Sequence, residues 1–383
     1  MSAVTDYLRP SAAGTWSKCY GYAALCASIG AALSMGDDDD EADTEIREDG
    51  TACHWLAEVT WNGADIPVGH IAPNGRIITE EMFDAVVMYH SLLESWPGVA
   101  PVIEQKVPSS QVIVGCADGT PDAWAYDPIN RILYIADLKF GYGFVEVWGN
   151  LQLIVYLLAI IKLLNLPPEL DIEIRAYIVQ PRSGHRDGPV RRWKTTRNEL
   201  AGYHTILAHA AQMAQAPVPL CTPNPGCKHC PARYGCAALQ ASALAGVEQA
   251  YDSTPHVLTP QGVATELSLL REASRRIEDR ITGLEQQAEF ELRNGRRIPG
   301  YSLKPSFGRT TWSKEFKDSI LSLGQLFRVD VAKPPEPVTP AQAKKLGMPT
   351  AIVDRYSYRP AGALKLVKDD PNEVAKSIQR SEQ

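Results

Sequence analysis

The chain has 383 residues, with 38 basic against 45 acidic side chains and a net charge of −7. That length is long for one domain and suits an enzyme-sized core with appendages. The negative balance argues against a uniformly basic coat, so any nucleic-acid contact has to be a local patch on an acidic body.

No charged-then-apolar leader opens the sequence. Its longest apolar run, Leu151 to Leu164, is short and interrupted by Gln152 and Lys162, which reads as a buried helix and not a membrane span. Eight cysteines in so long a chain read as reduced thiols of a cytoplasmic protein.

In chain order, residues 1–36 place small and aromatic residues at helical spacing around Cys19, whose ordinary role would be a buried thiol. The acidic run Asp37 to Glu41 reads as a solvated loop. Glu48 to Asn62 predicts a helix with its N-cap near Asp49 or Thr51. His54 and Glu58, four apart, share a face of it. Such a histidine is by itself more often structural than a ligand. A Gly/Pro loop covers 63–78, and Thr79 to Ser95 predicts an amphipathic helix opened by Thr-Glu-Glu. Residues 102–107, VIEQKV, alternate as a strand carrying Glu104 and Lys106 on one face; Glu104 is either a further acid near a site or part of an exposed face.

The most informative stretch is Val114 to Phe140. Gly119 to Tyr126 and Arg131 to Leu138 alternate as half-buried strands, and Asp127-Pro128-Ile129-Asn130 supplies turn chemistry between them. A hairpin brings Asp122 beside Asp137 and Lys139, while Leu138 points the other way into the core. Two converging carboxylates repel unless a divalent cation lies between them, and hard oxygen ligands suit magnesium or manganese. With an adjacent ammonium, this is a kit for metal-assisted phosphodiester hydrolysis. The plain alternative is a surface hairpin whose charges are merely solvated or paired.

Gly141-Tyr142-Gly143 then turns the chain into a helix from about Glu146 to Leu164, on which Gln152 and Tyr156 project from the same side. A strand, Asp171 to Gln180, follows. The segment 181–194 is basic, and Arg191, Arg192 and Trp193 in it read either as a backbone-tracking patch with one stacking ring or as a solvated loop. A helix from Thr196 to Gln215 leads to Cys227-x2-Cys230-x5-Cys236, spacing that brings thiolates to one metal centre. The fourth ligand is open at this point: Cys221 would close a local zinc knot, and Cys19 would reach back across the chain.

GTPD ending on Asp122, the Asp137-Leu138-Lys139 triplet, Gln152 to Tyr156 and the upstream EDGTACHWLAE around His54 occur in the order of the PD-(D/E)XK nuclease superfamily, and the chain resembles its RecB-like exonuclease branch. The resemblance implies a restriction-endonuclease-like α/β core over about residues 45–215, an αβββαβ mixed sheet flanked by helices. It implies that His54, Asp122, Asp137 and the Leu138 carbonyl hold Mg2+ or Mn2+, that Lys139 orients water or stabilises charge, and that Gln152 and Tyr156 steady the substrate strand.

One group of this branch brackets the nuclease core with four cysteines on a [4Fe-4S] cluster, which assigns that role to Cys19, Cys227, Cys230 and Cys236, with Zn2+ as the alternative. Cys26, Cys53 and Cys116 remain core thiols. The chain is also similar to a family of uncharacterised RecB-like phage and prophage proteins, a likeness that reaches its distal half.

From Thr259 a helix runs to about Asn294, with Leu267, Leu270, Ile277, Ile281 and Leu284 on a stripe expected to pack on the core. Arg296, Arg297, Lys304 and Arg309, among Tyr301, Phe307 and Trp312, form a second basic and aromatic candidate for gripping DNA. The expected organisation is a nuclease domain with its cysteine cluster over 1–245 and a helical C-terminal region over 246–383. The expected function is a metal-dependent DNA exonuclease acting on ends or single strands, with phage recombination or replication proteins as partners. A non-catalytic DNA-binding or assembly protein on the same fold, and a zinc-knot interaction module, are the alternatives.

Overall fold

The computed structural model describes residues 4–30, 41–183, 188–251 and 259–307, and parts of 311–368. The chain divides into two compact units, Met1–Gln286 and Gln287–Gln383. In the first, strands β1 (Val102–Ile103), β2 (Ala123–Asp127), β3 (Ile132–Leu138), β4 (Glu173–Val179) and β5 (Val190–Thr196) form one mixed sheet in sequential order. Its pairs are antiparallel except β3/β4, which run parallel. Helices α1 (Glu41–Trp61) and α2 (Glu80–Glu94) precede β1, and α3 (Leu151–Leu163) is the crossover that a parallel pair requires. After β5 come α4 (Arg197–Ala214), α5 (Ala237–Tyr251) and α6 (Pro260–Arg293).

The hairpin is made by Asp127. Its Oδ1 accepts the backbone N–H groups of Ile129 and Asn130 at 2.9 and 3.0 Å, and Arg131 takes a left-handed φ of 56°. Ala123 thereby pairs with Ala136 and Asp127 with Ile132. Period-2 alternation then separates two cores. Leu133, Ile135, Ile174 and Ile178 pack with the apolar side of α3 and α4, while Tyr134, Ala136, Leu138 and Val179 lie under α1 and α2. Truncating a residue such as fully buried Leu133 to alanine would cost about 2–5 kcal/mol.

Several boundaries differ from expectation for local reasons. Helix α1 begins at Glu41, so the expected caps lie inside it: Asp49 pairs with Arg76 at 2.7 Å and the Thr51 hydroxyl donates to the Arg47 carbonyl. The strand expected over 102–107 stops at Ile103, because Glu104 turns to a φ of 48°. Helix α3 starts only after Asn150, which caps it by accepting the Leu153 N–H, since Glu146 accepts the Val147 and Trp148 N–H groups in the preceding turn. Thr79 caps α2 as expected, and Thr196 with Glu199 forms a capping box on α4.

Three expectations need correction. The segment read as a basic loop at 190–194 is strand β5, so it exposes only alternate residues. The stripe on α6 is packed only in part: Ile277 is half-buried near Gly246 of α5, Leu267, Leu270, Ile281 and Leu284 are 44–59 % exposed, and the helix buries Gly283 against the Tyr234 backbone. The region beyond Gln286 is not simply helical. Tyr301–Phe307 pairs antiparallel with Ala361–Lys368, with the short helices Lys317–Leu326 and Thr350–Tyr356 and a small core of Ile320, Val331, Met348 and Val353. The segments SLKPSF and ALKLVK belong to these paired strands. No helix among the described residues is long and apolar enough to cross a membrane.

Candidate functional site

Residues from β2, β3, α1 and α3 meet at the end of the hairpin. Asp122 precedes β2 and its Oδ2 accepts the Leu138 N–H at 2.7 Å, which fixes the carboxylate and seats the Leu138 peptide beside it. His54 Nδ1 stands 3.5 Å from the same oxygen. Asp137, buried at the end of β3, has both oxygens next to Lys139 Nζ, at 3.0 and 2.9 Å. Gln152 closes the set: its Nε2 donates to Asp137 Oδ1 at 3.2 Å and its Oε1 accepts from Lys139 Nζ at 3.4 Å. Gly119 of the GTPD turn leaves room for Tyr156, since a Cβ there would come within 2.6 Å of the tyrosine ring.

Sequence reasoning gave Glu104 too little weight. One ligand atom each from His54, Glu104 and Asp122 lie within 4.8 Å of one another, a spacing that suits a divalent cation. The positive φ that ends β1 and a 3.1 Å bond from the Glu104 N–H to the Asp122 carbonyl hold Glu104 there. Its alternation with Lys106 was the only signal in the sequence, and strand alternation could not disclose a left-handed residue.

The electrostatics are those of a crowded, part-buried group of acids. Burial, then Asp122, Glu58 and Asp137, push the Glu104 carboxyl up to about 8. Burial also raises Asp137, to about 6, with Asp122 adding to it and Lys139 opposing. For Lys139, burial pulls downward, but Asp137 and Asp122 outweigh it and the ammonium is held above its ordinary range. Burial pushes the Tyr156 phenol up to about 12, against a hydrogen bond with Gln152 that lowers it. Asp137 Oδ2 is ion-paired with Lys139 at 2.9 Å, with no further hydrogen bond among the described residues. A His/Glu/Asp triplet beside this buried carboxylate fits a hard cation.

A second cluster lies between the N-terminal segment and the turns after α4. Cys19, Cys221, Cys227, Cys230 and Cys236 line one pocket, with Tyr22, Leu25 and Leu239 around them. Backbone N–H groups reach four of these sulfurs: Thr222 to Cys19, Asn224 to Cys227, Ala232 to Cys230 and Leu239 to Cys236. Cys221 instead contacts Cys19 and Cys236, and Cys26 contacts Cys230. The Cys26 contact and burial drive Cys230 upward, and burial takes Cys221 up to about 12. A thiol-rich pocket with N–H donors aimed at four sulfurs fits a thiolate-ligated metal centre.

The nucleic-acid candidates fare differently. Arg191 and Trp193 are 5 % and 3 % exposed, because β5 turns both inward, so neither can touch a passing strand. Arg191 is spent on the Val145 carbonyl and Gln180 Oε1, each at 2.8 Å. Arg192 is exposed. In the second unit Arg297 is exposed, Arg296 pairs with Glu291, and Lys304 is half-buried in a strand. Arg309 lies outside the described residues.

Fold and site together define a mixed α/β protein whose five-stranded sheet gathers a histidine, three carboxylates, a lysine and a glutamine at one end. The chain belongs to the family described as "Protein of unknown function (DUF2800)", whose model matches residues 6–372. No curated protein matches it.

Proposed function

We propose that the chain is a magnesium- or manganese-dependent DNA nuclease with a restriction-endonuclease-like core of the PD-(D/E)XK type. The observation that carries this reading is the convergence of His54, Glu104 and Asp122 within 4.8 Å, next to the Asp137–Lys139–Gln152 network. The αβββαβ order supports it by analogy of fold alone. His54, Asp122, Glu104 and Asp137, with the Leu138 carbonyl, would hold the ion. When bound, the ion would supply polarisation of a phosphoryl oxygen and a lowered pKa for a water, so that hydroxide is available as the nucleophile.

The protein groups do the rest. Lys139 is kept an ammonium by Asp137, which fits stabilisation of developing negative charge better than proton abstraction. Gln152 locks the Asp137–Lys139 pair in one geometry, and Tyr156 offers its hydroxyl beside it.

Cys19, Cys227, Cys230 and Cys236, the four thiols that receive backbone N–H groups, would ligate a [4Fe-4S] cluster. The cluster would tie segments roughly 200 residues apart; a reducing host cytoplasm is the setting such thiols suit, and phage recombination or replication is the process the reading assigns to them.

The test is incubation of anaerobically purified protein with labelled linear, circular and single-stranded DNA and Mn2+. Shortening of linear substrate is expected, with a loss of at least about a hundredfold in Asp122→Asn and Lys139→Ala. Full activity in folded Lys139→Ala, or a mobility shift without shortening in the wild type, refutes the enzyme.

A further inference from the structure

The loop between β3 and α3, residues 141–150, runs from the lysine of the site to the helix that carries Gln152, and its aromatic rings face solvent. Tyr142, Phe144 and Trp148 are 58 %, 48 % and 68 % exposed. Exposed rings on a pliant loop would collapse onto the nearest apolar surface, but this loop is pinned. Gln180, fully buried, donates from Nε2 to the Gly141 and Gly143 carbonyls at 3.0 and 2.7 Å and accepts the Val145 N–H at 3.2 Å.

Each ring has a support beneath it. The Arg182 guanidinium, held by Glu81 at 2.7 Å, lies 3.7 Å from the Phe140 ring centre and 5.0 Å from that of Tyr142. Arg191 lies 4.7 Å from the Phe144 ring, and the Trp148 ring centre is 5.9 Å from that of buried Trp193. The basic and aromatic residues of β5 therefore hold up a set of rings instead of meeting a ligand themselves. Glu146, the one acid in the loop, is turned back onto the Val147 and Trp148 N–H groups.

We infer that this loop is a base-stacking ledge for unpaired nucleobases, which makes single-stranded DNA the substrate class of the adjoining site. The inference rests on the nuclease reading for the meaning of that site. Flat, rigid apolar faces with cations behind them suit bases of any sequence. In a duplex those faces are already covered by neighbouring pairs, so only an unpaired strand can use the ledge. Tyr142 is three residues beyond Lys139, a reach of at most about 11 Å, so a stacked base lies within a few nucleotides of the phosphate being cleaved.

The experiment is equilibrium binding of fluorescein-labelled dT12, and of a 12-base-pair duplex, to the full anaerobically purified chain in EDTA, read by anisotropy and by quenching of tryptophan emission. Binding of dT12 at least tenfold tighter than the duplex is expected. Trp148→Ala and Tyr142→Ala should each weaken dT12 binding about tenfold, while Trp148→Phe, which keeps a stacking face, should retain most of the affinity. Thermal melting of each variant excludes lost folding, and both side chains are more than half exposed.

Equal affinity for strand and duplex, or unchanged dT12 binding in both alanine variants, overturns the inference; so does the absence of dT12 binding, which would leave the rings to a protein partner. Mn2+-dependent hydrolysis of bis(4-nitrophenyl) phosphate by the wild type separates the two readings. Single-strand preference without hydrolysis refutes the nuclease alone, and hydrolysis without preference refutes the ledge alone.

Discussion

Replacing Glu104 by glutamine should stabilise the metal-free protein and weaken its grip on metal, two effects of opposite sign from one atom change. The Glu104 carboxyl, ordinarily near 4.5, is pushed to about 8 by burial and by Asp122, Glu58 and Asp137. A carboxyl raised in the folded state favours folding most at low pH, and that contribution is lost as pH rises from about 4.5 through about 8. At pH 7 an unscreened reckoning puts the cost of this environment at about 3 kcal/mol. Because the side chain is part-exposed, solvent screening brings it to about 1 kcal/mol.

Glutamine keeps the shape without the charge, so Glu104→Gln should melt about 2–4 °C higher than wild type in EDTA at pH 7. The gap should close toward pH 4.5. With Mn2+ the order reverses, since one of the three clustered ligands has lost its charge. Calorimetric titration should then show affinity reduced by at least about tenfold. Scanning calorimetry with and without Mn2+ measures both. A variant that melts lower in EDTA and binds Mn2+ as tightly as wild type would show that Glu104 is an ordinary turn residue, and the proposed ion site would lose its third ligand.

Three further outcomes are expected. Gly119→Ala would press a methyl group against the Tyr156 ring and Pro10, at 2.6 and 2.8 Å, and should lower stability by about 1–3 kcal/mol together with DNA cleavage; an unchanged melting temperature would mean that Tyr156 is free to move. Cys19→Ser should remove the visible iron–sulfur absorbance of anaerobic protein, whereas Cys26→Ser and Cys221→Ser should keep it. Zinc in place of iron, or a cluster that survives Cys19→Ser, would contradict the ligand set. Affinity for Mn2+ should climb between pH 6 and 8 as Asp137 and Glu104 give up protons that compete with the ion, and a flat titration would refute their involvement.

The hairpin was legible in the sequence because its determinants are local. Asp127 makes its turn within three residues, and alternation alone sets which side chains share a face. The same alternation placed Leu138 in the core and Asp137 and Lys139 together. Glu104 and β5 were harder for a common reason: their roles depend on pairing with distant partners.

Arg191 and Trp193 look like a basic, aromatic surface until β5 is docked on β4, which sends one alternate set inward to Gln180 and Val145. Conversely, Tyr142 reads as a turn residue and Trp148 as part of a helix, yet both lie in the loop before α3. The loop that carries them is held by Gln180, 35 to 39 residues from its partners, which bonds the Gly141, Gly143 and Val145 backbone. Composition can count arginines and rings. It cannot say which of them support and which of them face out.

The two clusters also bear on each other through the N-terminal segment. Leu8, Ala13 and Trp16 are fully buried in the core that contains α3, and Pro10 lies where any side chain at Gly119 would have to go. Three residues past Trp16, Cys19 enters the thiol pocket. The segment that backs Tyr156 is therefore anchored at one end by burial and at the other by whatever the cysteines bind. A centre ligated by Cys19 and by Cys227, Cys230 and Cys236 closes a loop of roughly 200 residues, a cross-link whose entropic effect on the unfolded chain is on the order of 5 kcal/mol. Losing that centre would release the N-terminal segment before it disturbed the sheet, since Asp122, Asp137 and Lys139 are held by the hairpin's own hydrogen bonds. The metal ligands would then stay in place while the support under Tyr156 loosened, so damage to the thiol centre should reach cleavage through substrate positioning and not through affinity for the divalent ion.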